Sequence, residues 1–147
     1  MTGRPLLILH VEDDPGDVDL TRDILEEGGP LIKVAHVDDG VKAMDYLRRQ
    51  GRYGNAFRPD LILLDLNLPK KDGREVLSEI KADPGLKSIP VIGCSTSDAE
   101  LDITRIYALG ANCYITKPVG LDAYTRMIRL IKDFWFTLAK LPSPKNL

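Results

Sequence analysis

The residues whose types allow chemistry are few: three consecutive carboxylates at Glu12, Asp13 and Asp14, Asp65 closing an apolar run, the hydroxyl pair Ser95 and Thr96, and Lys117 ahead of Pro118. Carboxylates gathered in one place repel one another, and burying them unpaired costs several kcal/mol each, so a cation must sit among them. Oxygen ligands without a companion His or Cys suit a hard ion, and Mg²⁺ takes one or two carboxylates together with waters and a phosphate oxygen. A lysine and a hydroxyl beside such an ion donate to phosphoryl oxygens. The set therefore points to phosphoryl chemistry, provided the chain brings these residues together.

The elements that must do so are legible as short runs of Leu, Ile and Val between longer segments of helical period, the pattern of parallel strands joined by crossover helices in an α/β fold. Strands are expected at 6–11, 32–37, 61–64, 90–94 and 113–115. Each candidate residue then falls at the carboxyl end of a strand, where open α/β sheets bind their ligands. Pro15 suits a first helical position, with Asp14 as its cap, and that helix stops at Gly28-Gly29-Pro30. Further helices are expected from about 39 to 47, 75–82, about 98–108 and about 121–138, with a loop over 50–59. The last carries Met127, Ile128, Leu130, Ile131, Phe134 and Trp135, a broader apolar stripe than one sheet face uses.

Composition narrows the function classes. A chain of 147 residues, 44% hydrophobic and 29% charged, suits one domain, placed at 1–140 with a tail at 141–147. The net charge of −2 and scattered Lys and Arg argue against direct nucleic-acid binding. Apolar runs fall far short of the roughly 20 residues of a membrane span, and no secretory leader is legible, so a cytoplasmic location is expected. Cys94 and Cys113 fit no metal spacing and are expected to remain thiols, and His10 and His36, lacking companion ligands, read as satisfied sheet residues.

The order Val11-Glu12-Asp13-Asp14, then Asp60 to Pro69 with Asp72-Gly73, then Ser95-Thr96, then Tyr114-Ile115-Thr116-Lys117-Pro118 resembles that of response-regulator receiver domains, over nearly the whole chain. The resemblance implies a doubly wound, flavodoxin-like sheet of order 2-1-3-4-5 with helices on both faces; the chemotaxis member of the family is a standard example of that order. It implies Asp65 as phosphoacceptor, with Mg²⁺ held by Asp13, Asp65 and the backbone carbonyl of Asn67, and by Glu12 through a water. Ser95, with Thr96 beside it, and Lys117 would bind the phosphoryl group, Tyr114 would follow the Ser95 loop, and Lys117–Pro118 would be cis. Gly93 departs from the pattern, standing where a bulkier apolar residue is usual.

The expected activity is that of a switch, not a turnover enzyme: phosphoryl uptake from a histidine kinase onto Asp65, then self-dephosphorylation. An Asp-nucleophile phosphatase needs a second aspartate two residues on, where this chain has Asn67, and a flavin nucleotide site would be repelled by Glu12-Asp13-Asp14. An inactive receiver serving only as an interaction module sits badly with an intact acceptor and lysine. Asp14 reads first as a helix cap, and Tyr114 serves equally as core aromatic or switch. No effector domain is expected after the last helix. The ending Phe134-Trp135-Phe136 resembles single-domain regulators paired with phytochrome-type histidine kinases, and this aromatic end with helix 4, strand 5 and helix 5 is expected to form a homodimer interface.

Overall fold

Period-two alternation of apolar residues buried on both sides makes the sheet. In the computed structural model, which describes residues 5–28 and 31–142, the strands β1 (Leu6–Val11), β2 (Ile32–Val37), β3 (Leu61–Asp65), β4 (Val91–Ser95) and β5 (Cys113–Thr116) pair in parallel in the order β2-β1-β3-β4-β5. Along β3, Leu61 and Leu63 face one side with Ile8 and Ile92, while Ile62 and Leu64 face the other with Leu9 and Val91. Helices α1 (Pro15–Leu25) and α5 (Leu121–Asp133) cover the first face through Ile24, Leu25, Ile128 and Ile131. Helices α2 (Gly40–Leu47), α3 (Gly73–Ala82) and α4 (Glu100–Ala108) cover the second, through Met44, Val76, Leu77, Ile80 and Ile106. The expected fold class and strand order are those observed.

Local chemistry sets the helix starts. Asp14 Oδ1 accepts from the N–H groups of Gly16 and Asp17, so it caps α1 as expected. Asp39 caps α2 through the Lys42 N–H, and Asp72 caps α3 through the Arg74 N–H, which moves the start of α3 ahead of the expected residue 75. Gly28, at φ 91°, follows α1; the remainder of its expected stop signal, Gly29-Pro30, lies outside the described residues. The loop after α2 contains a 3₁₀ turn, Gly51–Tyr53. Within α4 only Ile106 is buried, and Leu101 is 61% exposed.

Two expectations need correction. Lys117–Pro118 is trans, since no described peptide bond is cis; trans is the lower-energy isomer of an X–Pro amide by about 0.5–1 kcal/mol. The last helix does not run to 138 as one α-helix: α5 ends at Asp133, and Phe134–Leu138 form a π-helical turn closed by Ala139 N–H to Phe134 O at 2.8 Å. That wider turn brings both Trp135 and Phe136 against the core and leaves Phe134 half exposed, edge-on to Trp135 at 5.3 Å. The departure at Gly93 leaves β4 buried throughout: Leu66 and Ile106 fill the space, and a Cβ there would stand 3.3 Å from Ile106 Cγ2. Leu141 and Pro142 have no regular structure, and the rest of the expected tail, 143–147, lies outside the described residues.

Candidate functional site

Register brings the strand ends level: Val11 stands opposite Leu64, and Asp65 opposite Cys94. Glu12 therefore leaves β1 beside Asp65 at the end of β3, with Ser95 at the end of β4 and Lys117 just beyond β5. Gly73, at the start of α3, lets that helix press onto the β3 end; a Cβ there would lie 2.5 Å from Asp65 O, so only glycine permits the approach.

The crevice is charged and largely desolvated. Glu12 is 1% exposed and Asp65 6%, whereas Asp13 is exposed. One oxygen from each of these three carboxylates lies within 4.8 Å of the others. Lys117 Nζ stands 2.6 Å from Glu12 Oε1, 3.3 Å from Asp17 Oδ2 and 3.5 Å from Asp65 Oδ2. Burial and the hydrogen bond shared with Asp65 push the Glu12 carboxyl up to about 8, against the pull of Lys117. Burial works against the charge of Lys117, but Glu12, Asp65 and Asp17 outweigh it and hold its ammonium above the usual lysine range. One cation among three or four carboxylates leaves negative charge uncompensated, and an all-oxygen donor set of this size fits a hard divalent ion.

On the opposite wall Asn67 N–H donates to Asp65 Oδ1 at 3.0 Å, and Asn67 Nδ2 donates to Ser95 Oγ at 3.2 Å. Ser95 Oγ also accepts from Ser97 N–H at 3.2 Å. The Tyr114 hydroxyl donates to Ser97 O, tying the aromatic ring to the same loop. Thr96 is exposed, and among the described residues no hydrogen bond ties it to the crevice. Asp14 stays with its helix cap and outside the carboxylate cluster.

Sequence reasoning missed two participants. Asp17 reaches Lys117 from the first turn of α1; three residues after the Asp14 cap, it lies on the crevice side of that turn. His36 Nε2 contacts Glu12 O at 2.7 Å, fixing the backbone that carries the buried glutamate. His10, by contrast, is buried with no hydrogen-bond partner for Nδ1 among the described residues, and burial with the charges of His36, Lys117 and Arg22 drives its pKa down to about 3. It is a neutral core residue.

A parallel sheet of this order, with an acidic cluster, a hydroxyl and a lysine at its carboxyl edge, is the architecture of one protein class, and comparison with known proteins bears this out: the chain belongs to the response regulator receiver domain family, matched over residues 8–129. More particularly, it is 46% identical over 139 residues to the response regulator Rcp1 of Synechocystis sp., covering 95% of each chain. The crystal structure of the phosphorylated cyanobacterial phytochrome response regulator RcpA superposes with a TM-score of 0.91 at 52% identity, covering 95% of this chain and 99% of the other. The Mn²⁺-bound form of Rcp1 gives a TM-score of 0.90 at 46% identity, covering 95% and 100%.

Proposed function

We propose that this receiver domain is the phosphoacceptor of a two-component phosphorelay, taking a phosphoryl group from a histidine kinase onto Asp65. The observation that carries the reading is the convergence of Glu12, Asp13, Asp65, Ser95 and Lys117 on one crevice. Asp65 attacks the phosphorus of a phosphohistidine in line; the P–O bond to its carboxylate forms as the P–N bond breaks, and the imidazole leaves. Lys117 and Ser95 donate to the phosphoryl oxygens, exchanging their present partners Glu12 and Asn67 for them. Glu12, Asp13 and Asp65, with the Asn67 carbonyl, would hold Mg²⁺, which when bound offsets the charge of the transferred group. The RcpA structure is of a phosphorylated phytochrome response regulator and Rcp1 binds Mn²⁺, which supports both the modification and a divalent site here.

The new charge on Asp65 draws Ser95 toward it and pulls on the Ser97 loop held by Tyr114, which is how phosphorylation reaches α4 and β5. The protein acts as a cytoplasmic switch; no described helix is long and apolar enough to cross a membrane. Its kinase is of the phytochrome type, as the similarity to RcpA supports. Output passes through a homodimer built on an apolar groove of about 420 Å³ along β5 and α5, where Leu130 and Phe134 are more than half exposed and Trp135 lines the wall.

Acetyl phosphate with Mg²⁺ should add one phosphoryl group per chain, read by intact mass and phosphate-affinity electrophoresis, and Asp65→Asn should abolish it. An acyl phosphate that persists in Asp65→Asn, or that never forms in the parent, would sink the reading. Light scattering at micromolar concentration should give a dimer mass that falls to the monomer in Phe134→Glu.

A further inference from the structure

The pole of the sheet opposite the carboxylates carries a second concentration of charge. Residues 46–59 contain Arg48, Arg49, Arg52 and Arg58 and no aspartate or glutamate, in a chain of net charge −2. Arg48, Arg49 and Arg58 surround a cavity of about 320 Å³ between the end of α2, the loop after it and the turn after α3. Half-buried Tyr46 and buried Leu86 form part of its wall, and Phe57 stands at the rim with 76% of its surface exposed. Asp83 is the one carboxylate in the lining, and its Oδ1 already accepts from Gly85 N–H at 2.8 Å.

Two guanidinium groups face this basin with donors to spare. Arg58 is anchored by Gly85 O and by Ser88 Oγ, which leaves further N–H groups of its five. Arg49 makes no ion pair or side-chain hydrogen bond among the described residues, and its charge bears unfavourably on Arg58. Cations at a helix C-terminus normally complement its dipole. Arg48, paired with Glu79 at 3.2 Å, already does so for α2.

Arg49 also has an unusual backbone. It sits at φ 54°, closing α2 through Arg49 N–H to Tyr46 O and Gln50 N–H to Asp45 O, a terminating turn in which glycine is customary. An L side chain is strained there, and outliers of this kind cluster at ligand-binding and other functional sites. A free arginine in a glycine position, next to a second guanidinium and two aromatic rings, matches one ligand chemistry: an anion carried on a flat ring.

We propose that this basin binds a nucleotide, its base against Tyr46 and Phe57 and its phosphate between Arg49 and Arg58. The cavity lies within the usual range for small-ligand sites, guanidinium pairs grip phosphate through parallel N–H donors, and bases stack on aromatic side chains.

AMP, ATP and GTP titrated separately in EDTA, which keeps metal-bound nucleotide out of the carboxylate crevice, test the site by amide NMR and calorimetry. At least one should shift the amides of Arg49, Phe57 and Gly85 saturably with Kd below about 1 mM. Phe57→Ala and Arg49→Gly should each weaken it by about tenfold or more, while Arg49→Gly melts no lower than the parent, separating lost binding from lost folding. Absence of a saturable response to about 10 mM, equal shifts from inorganic phosphate, or binding indifferent to Arg49→Gly would overturn the proposal. Binding of a poly-glutamate peptide with no nucleotide response would also overturn it, giving the surface to an acidic protein segment.

Discussion

The two ends of the sheet use polar side chains in opposite ways. At the amino end they are tied to the backbone: Asp60 accepts from Leu7 N–H, Asn112 Oδ1 from Val91 N–H, and Lys81 Nζ donates to Lys87 O, Ile89 O and Asn112 Oδ1. At the carboxyl end the charged groups are tied to one another, Lys117 to Glu12, Asp17 and Asp65, and Asn67 to Ser95, and the backbone N–H groups that Asp65 and Ser95 accept from, those of Asn67 and Ser97, belong to loops and not to strands. A side chain bonded to a strand's backbone cannot leave without unpairing a peptide group, whereas charged groups bonded to each other exchange partners when a new charge arrives. One end is committed to holding the fold, the other to responding.

Substitution should separate the two ends, with the largest effect at the responsive one. Lys117→Ala removes the cation facing Glu12, Asp17 and Asp65 and the donor to the phosphoryl oxygens, so phosphorylation by acetyl phosphate should slow about 100-fold. A rate within threefold of the parent, by time-resolved phosphate-affinity electrophoresis, would place the work elsewhere. Lys81→Ala at the other end should cost about 1–3 kcal/mol in urea unfolding, because two carbonyls and a side-chain amide lose a charged donor. Its phosphorylation rate should match the parent; a comparable loss of rate would erase the contrast.

A subtler effect concerns pH. Glu12 has a folded value of about 8 against the ordinary 4.5, so the metal-free folded state binds the extra proton between them. The folded pKa is the higher one, so this contribution to stability is complete below about pH 4.5 and is lost as pH rises through about 8. Metal-free protein should lose melting temperature across that window, and Glu12→Gln should flatten the decline. Added Mg²⁺ should raise the melting temperature more at pH 8.5 than at pH 6, since binding must displace that proton. A parent profile as flat as that of Glu12→Gln would count against the shared proton.

Much of this was legible in the sequence. A run such as Leu61 to Leu64 ending in Asp65 announces a buried parallel strand with a polar tip, and five such runs force their tips to one edge. Asp14 ahead of Pro15 announces a capped helix. What stayed hidden depends on tertiary geometry. Asp17 is one of several aspartates on α1, and only the docking of that helix aims it at Lys117. The buried bond at 2.8 Å between Thr21 and Tyr124 joins α1 to α5 across 103 residues and has no local signature. The π turn at Phe134–Leu138, which sets two neighbouring aromatics, Trp135 and Phe136, against one core, is a local widening that a fixed helical period does not register. The cis bond expected at Pro118 came from the family resemblance alone, whereas the chain keeps the isomer that an X–Pro amide prefers.

Tyr107, on the exposed side of α4, closes one further account. β5 is the outer strand of the sheet, and the N–H of Tyr114 donates to the Tyr107 hydroxyl at 3.1 Å, in place of a strand partner. One donor on that edge is thus already engaged. A second chain arriving at this rim finds that rung already taken, so the zipping of a sixth strand onto the sheet is made harder by a single phenol.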